Sequence, residues 1–117
     1  MQLNFIKNNR EFRYIYNKGV SLANRNVVCY KHPKREEKPR FGVSISGKVG
    51  IAVVRNRIKR QIKEILREFL KQGILSDEYD IIFIVRVRCA DADFESIRKS
   101  VYDILKKQKL IVKKKDE

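Results

Sequence analysis

The sequence is short of the residues from which disulfide scaffolds and histidine-based sites are built. It contains 2 cysteines, Cys29 and Cys89, and 1 histidine, His32. The cysteines lie far apart and neither belongs to a C-x-x-C pair, so neither a disulfide scaffold nor a zinc site is indicated. With one histidine, a pair of histidine metal ligands is excluded, and a catalytic triad would depend on that single residue.

Long apolar segments are missing as well. No run approaches the ~18 to 20 apolar residues that a membrane span needs, and the polar N-terminus has no apolar signal-peptide core. We therefore expect a soluble protein in the cytoplasm. Internal repeats and linkers rich in Gly, Ser or Pro are also missing. The sequence thus predicts one domain over residues 1–117, with a short basic C-terminal tail over about residues 106–117.

Negative charge is scarce relative to positive charge. The chain has 28 Lys and Arg residues against 14 Asp and Glu residues, which gives a formal net charge of +14 at pH 7 and a pI near 10.0. Such a chain repels itself and usually has a polyanionic partner, so nucleic acid is the first expectation and an anionic membrane surface the second. A hydrophobic fraction of 43% suffices for one modest core.

The first part of the sequence predicts a helix followed by a strand and a turn. Asn8 or Asn9 can cap the helix, which ends near Gly19, a residue suited to a left-handed C-terminal position. Residues 26–30 are rich in β-formers. The charged segment 34–38 is interpreted as the turn between this strand and the next.

The next predicted strand, residues 40–46, has two unlike faces. One face carries Phe41, Val43 and Ile45, and the other carries Gly42, Ser44 and Ser46. A face of small residues leaves the sheet surface low and polar, which suits a groove in which another molecule lies against the sheet. A strand side that simply faces solvent has the same pattern, and this strand alone does not separate the two interpretations.

The remaining sequence predicts a long helix, a buried strand and a last helix. Apolar residues at helical spacing predict the long helix over about residues 52–70. Residues 81–85 are continuously apolar, as in a strand covered on both faces, and Asp91 or Asp93 can cap the last helix. The order α-β-β-α-β-α contains a strand–helix–strand unit that should pair in parallel. The predicted fold is a small single-domain α/β sandwich.

Basic residues crowd the predicted start of the long helix. A helix N-terminus already attracts anions through its free N–H groups and its dipole. Cations there oppose the dipole, so a functional reason is the natural explanation, and arginine grips phosphate bidentately. The alternative is a solvated basic face, which is common on soluble proteins. The basic and amide residues of this end and of the face that continues it are Arg55, Asn56, Arg57, Lys59, Arg60, Lys63 and Arg67.

Aromatic residues are interleaved with this positive charge. Phe12, Tyr14 and Tyr16 lie on the first predicted helix, and Tyr30 lies on a strand. Unpaired bases stack on such rings, with ~1–3 kcal/mol per base. Phe12 and Tyr16 also have the spacing of ordinary core residues, and for Phe12 the helical stripe by itself favours the core.

The acidic residues offer one catalytic alternative. Asp91, Asp93 and Glu95 form a D-x-D-x-E run, which could indicate the metal ligands of a nuclease. At the start of a helix, however, alternate positions point about 200° apart, and acids are expected there for capping and for the dipole. The capping interpretation is preferred, and we expect neither catalytic nor metal-ligating residues in this chain.

Long blocks of the sequence resemble a known family. Residues 41–50, FGVSISGKVG, followed by residues 52–60, AVVRNRIKR, resemble the RNR signature region of the protein subunit of bacterial ribonuclease P. Residues 11–19 and the strand from residue 80 to residue 87 also resemble that family. The resemblance extends over about residues 9–105, and a block of this length is far more specific than a lone basic run.

The resemblance implies the protein subunit of an enzyme whose catalyst is RNA. In that family the holoenzyme removes the 5′ leader of precursor tRNA, and the RNA subunit makes the endonucleolytic cut with Mg²⁺ that it mainly holds itself. The expected partners are therefore the catalytic RNA and precursor tRNA, with no membrane and no obligatory protein partner. The resemblance also implies a left-handed β-α-β crossover, against the general right-handed preference.

Site residues are carried over from the family position by position. The leader would lie in a cleft between the sheet and the first helix, lined by Phe12, Tyr16, Tyr30 and Ser44, which replaces the core interpretation of Phe12. The RNR contacts to RNA would be Arg55, Asn56, Arg57, Lys59 and Arg60, with Lys63 and Arg67 on the same helix. Gly47 stands where lysine is common in the family, and Ile51 where asparagine is frequent.

Charge alone fits two other classes of protein. A general RNA-binding or ribosome-associated module would be equally basic. A DNA-binding protein is the weaker alternative, because the sequence has aromatic residues suited to single strands and no clear helix-turn-helix pattern.

Overall fold

Three helices and one sheet make up residues 3–112, the part of the chain that the computed structural model describes. The helices are α1 (Asn9–Lys18), α2 (Ala52–Gln72) and α3 (Phe94–Lys107). The strands are β1 (Val20–Ala23), β2 (Val27–Pro33), β3 (Phe41–Ile45) and β4 (Tyr79–Val85). Short 3-10 helices cover Gly47–Val49 and Val87–Asp91.

The 4 strands form one sheet in the order β1-β2-β4-β3. β2 is antiparallel to both of its neighbours, whereas β3 and β4 are parallel and are joined through α2. The predicted α/β class and the parallel strand–helix–strand unit are therefore confirmed. The left-handed sense of that crossover stays a prediction.

The predicted element order is incomplete in one place. The predicted order lacks β1, a 4-residue edge strand whose residues are all exposed, so it has no buried side from which an alternating pattern could arise. Residues 34–38 lie between two strands as predicted, but these strands, β2 and β3, are not neighbours, because β4 lies between them in the sheet. The strand that separates them comes much later in the sequence, so a local pattern could not indicate it.

The main core lies between one face of the sheet and the pair α2 and α3. The sheet side of this core includes Cys29, Phe41 and Phe83, and the helical side includes Ile58, Ile62, Ile65, Ile97 and Val101. α1 covers the other face of the sheet, where Ile15 and Ile82 are fully buried outside this cluster. Because the strands are covered unequally on their two faces, one face has room for a cleft.

The predicted helix caps are confirmed. The Asn8 side chain accepts a hydrogen bond of 2.9 Å from the backbone N–H of Glu11 at the start of α1. Asp93 does the same for the N–H of Ser96, at 2.8 Å, at the start of α3. Each cap satisfies one of the free N–H groups that every helix start presents.

The predicted left-handed conformation of Gly19 is wrong, since its φ is −80°. A glycine is needed there for a different reason. A Cβ atom would lie 2.6 Å from the carbonyl oxygen of Ile15 and 2.8 Å from that of Lys31. A left-handed glycine is instead found directly after α2, where Gly73 has φ 72°.

The basic segment predicted as a tail from residue 106 begins inside the fold. Lys106 and Lys107 belong to the last turn of α3. Leu110 is fully buried, and Ile111 forms a β-bridge with Leu75. These apolar contacts hold the segment against the core. The rest of the predicted tail, residues 113–117, lies outside the described residues.

Candidate nucleic-acid interface

α1 crosses the strands instead of running along them. Near its start, the ring of Phe12 lies 3.0 Å from the point that a Cβ atom of Gly42 in β3 would occupy. One turn later, Tyr16 stacks on Tyr30 of β2, with 4.8 Å between ring centroids and an interplanar angle of 29°. Since β4 lies between these two strands, α1 spans three strands of the sheet.

The strand register shows what α1 leaves uncovered. Tyr30, Ile82 and Gly42 lie side by side in one row, and α1 sits on this row. The next row on the same face, about 7 Å along the strands, is Val28, Ile84 and Ser44. All three members of this second row are half-buried. We call this trough, walled by Phe12 and Tyr16 and floored by the second row, the α1 cleft.

The four residues predicted for a leader cleft thus come together around α1. Phe12 is half-buried and lies outside the main core cluster, and Tyr16 is 46% exposed. Burial, and secondarily the neighbouring Tyr16 hydroxyl, raise the pKa of Tyr30, so its hydroxyl stays protonated at neutral pH. The α1 cleft therefore offers aromatic surface and neutral hydroxyls, which suit stacking with bases and hydrogen bonds to them.

The predicted RNR residues all lie on α2, and we call them together the α2 basic face. Several of them have contacts within the protein. Arg55 donates through Nε to the carbonyl of Gly50 at 3.0 Å, and the ammonium group of Lys63 lies 4.6 Å from the ring centroid of Phe5. Arg57 reaches the carbonyl of Ala90 at 3.5 Å.

The rest of the α2 basic face points to solvent. Asn56, Arg60 and Arg67 are exposed, and Lys59 is half-buried. Among residues 3–112, no carboxylate forms an ion pair with any cation of this face. The nearby Glu68 is held instead by Arg98 of α3, at 3.0 Å from its Nε, and this contact lowers the pKa of Glu68. The cations are therefore available to phosphate groups.

The start of α2 lacks the features that usually neutralise a helix N-terminus. Ile51 occupies the cap position without a side-chain hydrogen bond, and the first turn contains no acidic residue. The free N–H groups at this end carry partial positive charge, as do the cationic side chains that follow them. The two repel each other in the free protein, and a bound anion would attract both.

The α1 cleft and the start of α2 adjoin although α1 and α2 lie on opposite faces of the sheet. The parallel strands β3 and β4 end at the same edge. The uncovered row lies close to this edge, and β3 continues from it through Gly47–Val49 into α2. One extended RNA assembly could therefore contact both surfaces around a single end of the sheet.

The described residues show no arrangement suited to metal or nucleophilic chemistry. Within residues 3–112, no group of three or more His, Cys, Asp or Glu side chains is placed to hold a metal ion. Asp93 of the acidic run is used as a helix cap. Burial raises the pKa of Cys29 to about 12, which keeps this thiol protonated and unreactive. The helices within residues 3–112 are either too short or too polar to span a membrane.

Sequence reasoning missed several residues that shape the cleft. Val28 and Ile84 were assigned to strands but not to a binding surface. The small-residue face of β3 was a signal for Gly42, which gives Phe12 its place on the sheet. No signal pointed to the ion pairs of Arg40 with Glu11 and Asp80, because these residues are far apart in the sequence.

The sequence of this chain is similar to those of known proteins. The family model described as Ribonuclease P matches residues 2–109. A ribonuclease P protein component from Desulforamulus reducens is 46% identical over 99 residues, covering 85% of this chain and 86% of the relative. One from Clostridium botulinum is 42% identical over 107 residues, covering 92% and 96%.

Two solved structures have the same fold. The RNase P protein of Staphylococcus aureus superposes with a TM-score of 0.84 at 39% identity, covering 94% of this chain and 99% of that one. The RNase P protein of Thermotoga maritima superposes with a TM-score of 0.78 at 28% identity, covering 89% and 96%.

Proposed function

This chain belongs to the ribonuclease P protein family, and on that premise we propose that its two surfaces bind two different RNAs. It acts as the protein component of ribonuclease P, the endoribonuclease in which protein assists an RNA subunit in processing tRNA 5′ leaders. The partner is the ribonuclease P RNA, and the activity of this ribonucleoprotein is metal-dependent.

The α2 basic face binds the ribonuclease P RNA. Its support is that the cations of this face have no carboxylate partner within residues 3–112, and that the helix start behind them has neither a side-chain cap nor an acidic residue in its first turn. Each cation that neutralises a phosphate releases a counterion, so ~6 duplex-type contacts give log K against log salt concentration a slope of about −5. Arginine adds bidentate geometry to this attraction.

The α1 cleft binds the single-stranded 5′ leader of precursor tRNA. The observation that carries this proposal is the position of Phe12 and Tyr16, which hold partly exposed rings beside an uncovered row of the sheet. Bases of a single strand stack on such rings whatever their identity. The missing side chain at Gly42 lets the Phe12 ring lie close to the sheet, and the small side chain of Ser44 leaves room for a base beside that ring.

The contribution to catalysis is one of positioning. Holding the leader on a body that is itself bound to the catalytic RNA fixes the scissile phosphate relative to that RNA, and such orientation lowers a barrier without new chemistry. The metal we propose is Mg²⁺, held mainly by the RNA, since the described residues offer no fitting ligand group. We further propose a cytoplasmic location and a single RNA-binding domain over residues 1–117.

The test is the leader dependence of binding by the reconstituted holoenzyme. Dissociation constants are measured for precursor tRNA and for mature tRNA. The constant for mature tRNA divided by that for precursor tRNA is the precursor-to-mature affinity ratio, which isolates the contribution of the leader. Phe12→Ala should lower this ratio about tenfold, because one stacking contact is worth ~1–3 kcal/mol. Phe94→Ala, which removes a half-buried ring on α3, is the matched control and should leave the ratio unchanged.

Three outcomes would contradict the proposal. An unchanged ratio for Phe12→Ala would remove the leader from the α1 cleft. Equal binding of this protein to unrelated structured RNAs would indicate a general RNA-binding module. Cleavage of precursor tRNA by the protein without RNA would instead return attention to Asp91, Asp93 and Glu95.

A further inference from the structure

A buried ion pair lies on the same sheet face as the α1 cleft, on the other side of the row on which α1 sits. Asp80 of β4 is fully buried, and Arg40, just before β3, is 8% exposed. The backbone N–H of Arg40 donates to one Asp80 oxygen at 2.9 Å, and its guanidinium donates to the other at 3.1 Å. A buried carboxylate and a buried guanidinium are stable only when they are paired in this way.

The same guanidinium reaches α1. Arg40 donates from Nη2 to the Glu11 carboxylate at 3.0 Å. Arg35, from the segment between β2 and β3, donates to both oxygens of Glu11 at 3.1 Å. Its guanidinium also lies 3.7 Å from the ring centroid of Tyr14, one turn further along α1. Two arginines outside α1 therefore hold two side chains of this helix.

The network and the cleft share the same stretches of backbone. Glu11 directly precedes Phe12. Arg40 stands two residues before Gly42, and Asp80 two residues before Ile82, so each anchor is one step along its strand from the row on which Phe12 rests. Side chains two apart in a strand share a face. Any shift of Glu11 relative to Arg40 is thus passed directly to the Phe12 ring.

We propose that Glu11, Arg35, Arg40 and Asp80 form a positioning network that fixes α1 over the sheet and thereby sets the width of the α1 cleft for leader RNA. This inference rests on the proposed function of the α1 cleft. Hydrophobic contact alone would let α1 slide over the sheet, because it has no direction. Hydrogen bonds to two fixed guanidinium groups restrict both the distance and the rotation of the helix.

The direction in which one substitution changes RNA affinity distinguishes positioning from simple electrostatic attraction. Glu11→Ala removes a negative charge, which by charge alone should tighten the binding of any RNA. Positioning predicts the opposite, a fall of the precursor-to-mature affinity ratio of the holoenzyme by about fivefold, within the range of one lost stacking contact. Glu95→Ala makes the same change of charge on α3 and should not lower the ratio.

A double-mutant cycle tests whether Glu11 acts through Phe12. In a Phe12→Ala background, Glu11→Ala should cause no further loss of the ratio, because the ring it positions is already absent. Two losses that simply multiply would overturn the inference, as would an unchanged ratio for Glu11→Ala alone. If Phe12→Ala itself leaves the ratio unchanged, the proposed function of the cleft fails, which is a distinguishable result.

A conservative variant keeps the test independent of folding. Glu11→Gln retains the size of the side chain and one oxygen that accepts from Arg40, but it loses the paired carboxylate that Arg35 grips. We expect Glu11→Gln to lower the precursor-to-mature affinity ratio by less than Glu11→Ala does. Its affinity for the ribonuclease P RNA should be unchanged. A ratio for Glu11→Gln below that of Glu11→Ala would contradict positioning by these hydrogen bonds.

Discussion

The α2 basic face and the α1 cleft differ in the elements that form them and in their charge. The α2 basic face is one side of one helix, with exposed cations that need little support from the rest of the fold. The α1 cleft takes its residues from α1 and three strands, is mostly uncharged, and depends on contacts such as that between Phe12 and Gly42. The α2 basic face should therefore bind RNA through its charge and lose affinity as the salt concentration rises. The α1 cleft should bind RNA through stacking and shape complementarity.

The largest effect is expected from removing exposed charge. Arg60→Ala with Arg67→Ala should weaken binding to the ribonuclease P RNA by about tenfold to a hundredfold and reduce the salt slope by about two, one for each phosphate contact. A salt titration of the affinity measures both. Lys106→Ala with Lys107→Ala removes equal charge from α3 and should change the slope less. An equal change would mean that net charge, not the α2 basic face, governs binding.

The next effect should come from a single methyl group in the cleft. Gly42→Ala would place a Cβ atom 2.9 Å from the Ile82 side chain and 3.0 Å from the Phe12 ring, so that the Phe12 ring must move away from its place on the sheet. We expect a loss of about tenfold in leader-dependent affinity and a loss of ~1–3 kcal/mol in the free energy of unfolding. Binding to the ribonuclease P RNA should stay the same.

Gly47→Ala is the matched control for this substitution. A Cβ atom at Gly47 meets nothing within 4 Å, so leader binding and stability should both be retained. A Gly42→Ala protein that binds leader normally would show that the cleft tolerates displacement of Phe12, and the contrast between fit and charge would then be lost.

The smallest effect concerns acid stability. Hydrogen bonds from Arg40 lower the pKa of Glu11 beside the cleft, and those from Arg98 lower the pKa of Glu68 on α2. A carboxylate with a lowered pKa stabilises the folded state above its ordinary pKa of about 4.3, and this stabilisation is lost as the pH falls through the lowered value. Stability should therefore decline on the acid side.

Denaturant unfolding at a series of pH values measures this decline. Glu11→Gln and Glu68→Gln should each make the decline shallower, by a small amount because both groups are near solvent. Glu37→Gln, at an exposed carboxylate without an ion pair among the described residues, is the control. A steeper decline in Glu11→Gln would contradict the pairing described for the network.

The α2 basic face could be predicted from the sequence more completely than the α1 cleft, because it lies on a single helix. The α2 basic face follows from the spacing of residues on one helix, so the positions of Arg60 and Arg67 could be read locally. The caps Asn8 and Asp93 were also local. The strand face that contains Gly42 could be recognised, but whether it faced solvent or a groove depended on where α1 lies.

Features that join distant segments could not be predicted. The insertion of β4 between β2 and β3 changes no local pattern, and neither does the pairing of Arg40 with Asp80 across 40 residues. β1 has no buried side, so hydrophobic alternation could not reveal it. Gly19 was expected to be glycine for its dihedral angles, whereas the carbonyl oxygens of Ile15 and Lys31 leave no space for a side chain.

The most direct test of the two-surface account is photo-crosslinking from the leader. A photoreactive nucleotide is placed in the single-stranded leader of precursor tRNA, bound to the reconstituted holoenzyme, and the crosslinked peptides are identified by mass spectrometry. We predict crosslinks in α1 and in β2, at Phe12, Tyr16 or Tyr30. Crosslinks confined to the α2 basic face, with none in the α1 cleft, would contradict the account.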